Sequence, residues 1–154
     1  MGVEIRQAVM PDAALLAADL RAADRLEILA ATGLAPLPAI EESIRVSSQV
    51  WSGLVDGEMV AIFGLRRPSL LSDRAYPWLL GTNAVARHPR PFLRLSKAAV
   101  ADWRTRFRLL ENYVDARNAA AIRWLAWLGF TIHPARPYGA QGLPFHRFTM
   151  EGDR

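Results

Sequence analysis

The sequence predicts a mixed α/β domain, and two observations carry that prediction. Residues 51–55 and 59–65 are apolar runs flanking Asp56-Gly57, the signature of a tight antiparallel hairpin. Residues 76–114 read strand–helix–strand, which requires a parallel pair and a right-handed crossover. A mixed, mostly antiparallel twisted sheet with helices on both faces satisfies both demands within one domain spanning residues 1–154.

The elements follow in order. Val3, Ile5 and Gln7 alternate against Glu4 and Arg6, as in a half-buried strand. Pro11-Asp12 stops it, and residues 13–31 form one alanine- and leucine-rich helical stretch. Its inward stripe is Leu15, Leu16, Asp19, Leu20 and Ala23, and Gly33 terminates it. Pro36 and Pro38 separate it from a shorter helix near residues 40–50, with Glu41 and Glu42 in the first turn. After the hairpin come a polar loop at 69–74 and a central strand at 76–85. Phe92, Ala99, Trp103 and Phe107 recur at helical spacing, with Arg94, Lys97, Arg104, Arg106 and Arg108 on the other faces. A strand at 110–114, the turn Asp115-Ala116-Arg117-Asn118 and a helix ended by Gly129 follow. Strands at 130–133 and 145–150 flank a loop at 134–144. Trp124 and Trp127 cannot both face the sheet beside Leu125 and Leu128, so one of them marks a contact surface.

Composition narrows the chemistry. The chain has no cysteine, which excludes disulfides, thiolate metal sites and cysteine nucleophiles. Lys97 is its only lysine among 19 basic residues, so a Schiff base has a single candidate. His88, His133 and His146 lack metal-ligand spacing, and no metal is expected. Glu4, Asp12 and Asp19 interrupt the apolar residues of the first twenty, so neither an export signal nor a membrane span is expected.

Residues 112–130 read N-Y-V-D-A-R-N-A-A-A-I-R-W-L-A-W-L-G-F. An apolar strand, Asn118, a helix opening on small residues, and Gly129-Phe130 eleven and twelve residues after the Asn resemble the GNAT acetyltransferase superfamily. The element order extends that resemblance over almost the whole chain. It implies a GNAT-like fold, acetyl-CoA as cofactor, and an Asn118 that caps the helix and reaches the pantetheine arm. Ala61-Ile62-Phe63-Gly64, Trp78-Leu79-Leu80-Gly81-Thr82, Asn112-Tyr113-Val114-Asp115 and Phe145-His146-Arg147-Phe148 are similar to segments of small GNAT-like proteins of tailed phages. Those include internal virion and head-associated proteins. This second resemblance implies phage structural proteins as partners, and a place in the host cytoplasm or the virion.

Two departures bear on activity. The superfamily grips the cofactor pyrophosphate with a Q/R-x-x-G-x-G/A loop, whose glycines let backbone N–H groups converge on phosphate. Here residues 85–94 contain no glycine, and Pro89 and Pro91 carry no N–H. The residues left to hold a cofactor are Val85, Arg87, Arg90 and Asn118, with Arg94 as a further guanidinium. Many members place an acidic Tyr seven residues after the Asn; Leu125 stands there, and Trp124, Tyr113 and Tyr138 are imperfect substitutes. Glu111 and Asp115 are the nearest carboxylates to a base, Glu111 expected at a solvated strand end and Asp115 in the turn. No catalytic residue is assigned. The sequence points to a noncatalytic virion-assembly or interaction protein with a degenerate acetyl-CoA site; the alternative is an active N-acetyltransferase on an unknown amine. Nucleic-acid binding through residues 87–108 ranks last, because the aromatics there are needed for the core.

Overall fold

The computed structural model describes residues 2–154. Seven strands form one sheet in the order β1-β2-β3-β4-β5-β7-β6. They are β1 (Val3–Gln7), β2 (Gln49–Val55), β3 (Glu58–Arg66), β4 (Arg74–Gly81), β5 (Leu109–Asp115), β6 (Thr131–Tyr138) and β7 (Leu143–Glu151). Every pairing is antiparallel except β4 with β5. The hairpin at Asp56-Gly57 forms as expected, with both residues at positive φ, 50° and 79°.

Helices cover both faces. On one, α1 (Asp12–Ala18), α2 (Ala22–Thr32) and α3 (Pro36–Val46) bury Leu16, Leu20, Ile28 and Ile40 against Ile62 and Leu80 of the sheet. On the other, α5 (Pro89–Arg106) and α6 (Ala119–Leu128) bury Val100, Trp103 and Leu125 against Phe63, Leu110, Val114 and Phe148. A one-turn helix, α4 (Ala84–Arg87), links β4 to α5.

Four expectations are corrected. The single helix at 13–31 is broken at 19–21, where Leu20 leaves helical geometry to bridge Thr82. The break rotates the stripe: Leu16 and Leu20 are buried, while Leu15 and Asp19 face solvent. Pro36 and Pro38 open α3 instead of preceding it, and Pro89 and Pro91 open α5, because a first helical turn needs no N–H. The loop expected at 134–144 is mostly strand; Pro134 and Pro137 are tolerated because β6 is the edge of the sheet. Glu111 is buried and not solvated: Arg74 and Arg147 reach its two oxygens at 3.0 and 2.6 Å.

Asp12 ties α1 to the first two strands. Its carboxylate accepts from Arg6 at 2.7 and 2.9 Å, from Ser52 Oγ at 2.8 Å and from the Val9 N–H at 3.0 Å. Those partners, Arg6 foremost, hold its pKa down to about 2.

Candidate functional site

A proline opens the site. The Thr82 N–H donates to Val60 O at 2.9 Å, so in the β3–β4 ladder Leu80 and Trp78 also turn toward β3. Gly81, Leu79 and Pro77 therefore turn toward β5. Pro77 has no N–H to offer, and the parallel β4–β5 ladder spans only Arg74↔Leu109 and Ala75↔Leu110. Beyond that point the strands splay, and a cavity of about 430 Å³ fills the gap and runs between α5 and α6.

Side chains take over the backbone groups the splay leaves without strand partners. Asn112 Nδ2 donates to Pro77 O at 2.9 Å, while its Oδ1 accepts from the Tyr113 N–H at 2.9 Å. Asp24 accepts the Gly81 N–H at 3.0 Å and Glu27 the Asp115 N–H at 2.8 Å. Asn118 Nδ2 lies between these carboxylates, 3.3 Å from Asp24 and 3.4 Å from Glu27, and its Oδ1 accepts the Ala121 N–H of α6 at 3.4 Å. Two carboxylates of α2 thus clasp the open ends of β4 and β5, one turn of helix apart.

Their charges differ. Asp24 has Arg21 at 3.3 Å, and Asp115 has Arg117 at 2.7 Å, but Glu27 has no ion-pair partner among the described residues. Burial, with Asp24 and Asp115 nearby, pushes Glu27 up to about 7. Burial also raises Asp24, against the pull of Gly81 and Arg21. Neither α2 acid was among the sequence candidates, because nothing in the chain's order sets α2 across the strand ends. The signal present was acids at i and i+3 in an alanine-rich helix, which equally suits a solvated face.

Of the four cofactor candidates, the fold brings two to the cavity. Val85 lines it, so close to Gly81 that a Cβ on that glycine would lie 2.8 Å from Val85 Cγ2. Asn118 is buried at its polar end. Arg87 turns away to pair with Glu58 on β3, and Arg90 is exposed on the first turn of α5. Asp115 ends β5 and serves the turn that follows, its Oδ1 accepting the Arg117 N–H at 2.8 Å. Leu125 lines the cavity and offers no proton. Tyr138 lies on β6, its ring stacked on Tyr113 at 3.9 Å.

The segment that would cradle pyrophosphate is closed. The Asn83, Val85, Ala86 and His88 N–H groups donate to the carbonyls of Asp19, Thr82, Asn83 and Ala84, and the Ala84 N–H to Thr82 Oγ1. Residues 89 and 91 are proline. Farther along, Trp124 spans α5 and α6, its indole N–H 3.1 Å from Ser96 Oγ and its ring 5.5 Å from Phe92. These residues do not fit a pyrophosphate held by backbone amides.

No family model matches the chain, and no curated protein does. Solved structures do. A GNAT-family acetyltransferase from Streptococcus pneumoniae superposes with a TM-score of 0.69 at 17% identity, over 97% of this chain and 99% of that one. The fold is that of the GNAT acetyltransferases. A structure described as a putative phosphinothricin N-acetyltransferase gives 0.72 at 14% identity, over 99% and 100% of the two chains. A ribosomal L7/L12 α-N-protein acetyltransferase solved with coenzyme A gives 0.65 at 11%, over 98% and 94%. The seven-stranded mixed sheet with helices on both faces therefore matches the GNAT-like fold class read from the sequence. Among the described residues no helix is long and apolar enough to cross a membrane, and no group of three His, Asp or Glu side chains is placed to hold a metal ion.

Proposed function

We propose that this GNAT-fold protein is a noncatalytic interaction protein whose acetyl-CoA site is degenerate, acting in phage particle assembly. The observation that carries the loss of the cofactor grip is the engagement of the loop amides: the N–H groups of Asn83, Ala84, Val85, Ala86 and His88 are bonded internally, and Pro89 and Pro91 have none to offer phosphate. Arg87, bound to Glu58, does not replace them. The assembly setting rests on the resemblance to tailed-phage proteins read from four segments of the sequence alone. Isothermal titration with CoA and acetyl-CoA tests the first part. No heat is expected at millimolar ligand; saturable binding below that range overturns it. Pull-down from assembling particles tests the second, with portal, capsid or tail proteins expected and their absence counting against it.

A second reading, an amine N-acetyltransferase, is favoured by Glu27. An unpaired carboxyl with a pKa of about 7 beside an apolar cleft can take a proton from a bound ammonium at neutral pH. Amine-dependent release of CoA thiol from acetyl-CoA, lost in Glu27→Gln, would establish it in place of the first.

A further inference from the structure

The face formed by α5 and α6 on the outside of the molecule carries charge that the fold leaves unused. Arg90, Arg94 and Lys97 follow one another at four and three residues, so they form one stripe along α5. All three are exposed, as is Arg123 on α6. None of the four pairs with a carboxylate among the described residues, whereas ten other arginines do. The sequence has no Asp or Glu at 83–101 or at 116–150. Asp102, the one acid on α5, pairs with Arg106, and Glu58 pairs with Arg87, three residues before the stripe.

An aromatic ring stands at the end of this stripe. Trp124 turns inward, and Trp127, one turn beyond Arg123, is 53% exposed. Lys97 Nζ lies over the Trp127 ring at 5.6 Å. The core takes Trp103 and Phe107, so an aromatic platform was absent from α5 alone; α6 supplies it.

We propose that the α5–α6 face binds single-stranded nucleic acid, its phosphates along Arg90, Arg94, Lys97 and Arg123 and a base stacked on Trp127. Guanidinium groups match phosphate in shape as well as charge, and three of the four cations are arginine. An exposed indole flanked by cations is the combination that sequence-tolerant strand binding needs. An acidic protein segment would use the charge and leave the ring idle.

Fluorescence anisotropy of a labelled oligothymidylate with the full chain tests this. Binding is expected at low salt, with log K falling against log salt at a slope of about −3, the value for four neutralised phosphates of a single strand. Trp127→Ala should weaken binding by roughly tenfold while Trp127→Phe retains it. The doubly substituted Arg94→Ala/Lys97→Ala chain should flatten the slope by about 1.4. Absence of binding at low salt overturns the proposal, as does a Trp127→Ala chain that binds like the unsubstituted one. Equal competition by polyglutamate at matched charge assigns the face to an acidic protein instead. Displacement of the strand by one equivalent of CoA would make the stripe part of a cofactor site and overturns it too. Because the readout is strand binding, it can fail or succeed whatever the titration with CoA shows.

Discussion

Glu27 concentrates the electrostatic tension of the molecule in one side chain. Its carboxyl titrates near 7 in the fold, against 4.5 for an ordinary glutamate, with burial as the main cause. Between those values the folded chain holds a proton that the unfolded chain has released, so this group's contribution to stability falls as pH rises through the window. Its cost is absent below about 4.5 and complete above about 7. Glu27→Gln keeps an oxygen for the Asp115 N–H and removes the charge. We expect the melting temperature of the variant to exceed that of the unsubstituted chain at pH 8, with the gap closing toward pH 5. A gap independent of pH would mean that Glu27 is not held protonated. Residues read in isolation hid this. Asn118 was legible because helix capping is local, and its contacts with Ala121 fulfil that reading. The partners that make it a site, Asp24 and Glu27, are separated from it by 94 and 91 residues of chain.

At the scale of elements, local chemistry was readable wherever the chain decides its own geometry. The Asp56-Gly57 turn and the Gly33 and Gly129 helix ends follow from neighbouring residues. What failed was tertiary. Nothing between Asp12 and Thr32 breaks a helix by propensity, yet Leu20 breaks it to pair with Thr82. Pro77 was visible inside the expected strand, but its consequence, a sheet that splays on one side, depends on which neighbour that position faces. The β6–β7 turn is a third case. Ala140 and Gln141 donate N–H groups to Ala31 and Ala30 at 3.0 and 3.2 Å, so the turn finishes α2 and holds it over the cavity. Gly139 makes that approach possible, with φ at 77° and space for no Cβ: one would lie 2.7 Å from Ala31 Cα. Gly139→Ala should therefore cost at least about 2 kcal/mol, because a strained dihedral adds to a backbone clash. Gly142, also at positive φ but with nothing within 4 Å of its Cβ site, separates the two contributions: Gly142→Ala should cost only the dihedral term, about 1 kcal/mol. Urea denaturation of both variants measures the difference.

On the scale of the whole molecule, one seam decides how the fold can move. The three ladders from β1 to β4 and the pair β5–β7 are paired along most of their lengths, while β4 and β5 share two residue pairs at one end. The other end is held by α2, through Asp24 on Gly81 and Glu27 on Asp115. The fold thus keeps a gap between the two parts of its sheet under a clasp, and the clasp is the element to loosen. Native-state hydrogen exchange reads it amide by amide. In the unsubstituted chain the Leu79 N–H, turned into the splay, should exchange faster than that of Leu80, turned toward β3. Asp24→Ala should speed exchange at Gly81, and Glu27→Ala at Asp115, each well beyond any change at Ile62 or Leu110 in the flanking ladders. The selectivity matters more than the rate. Removing a buried carboxylate lowers global stability as well, and that alone accelerates every core amide together. Uniform acceleration would show that the two halves of the sheet open only by complete unfolding, and that the acids of α2 are ordinary packing and no clasp.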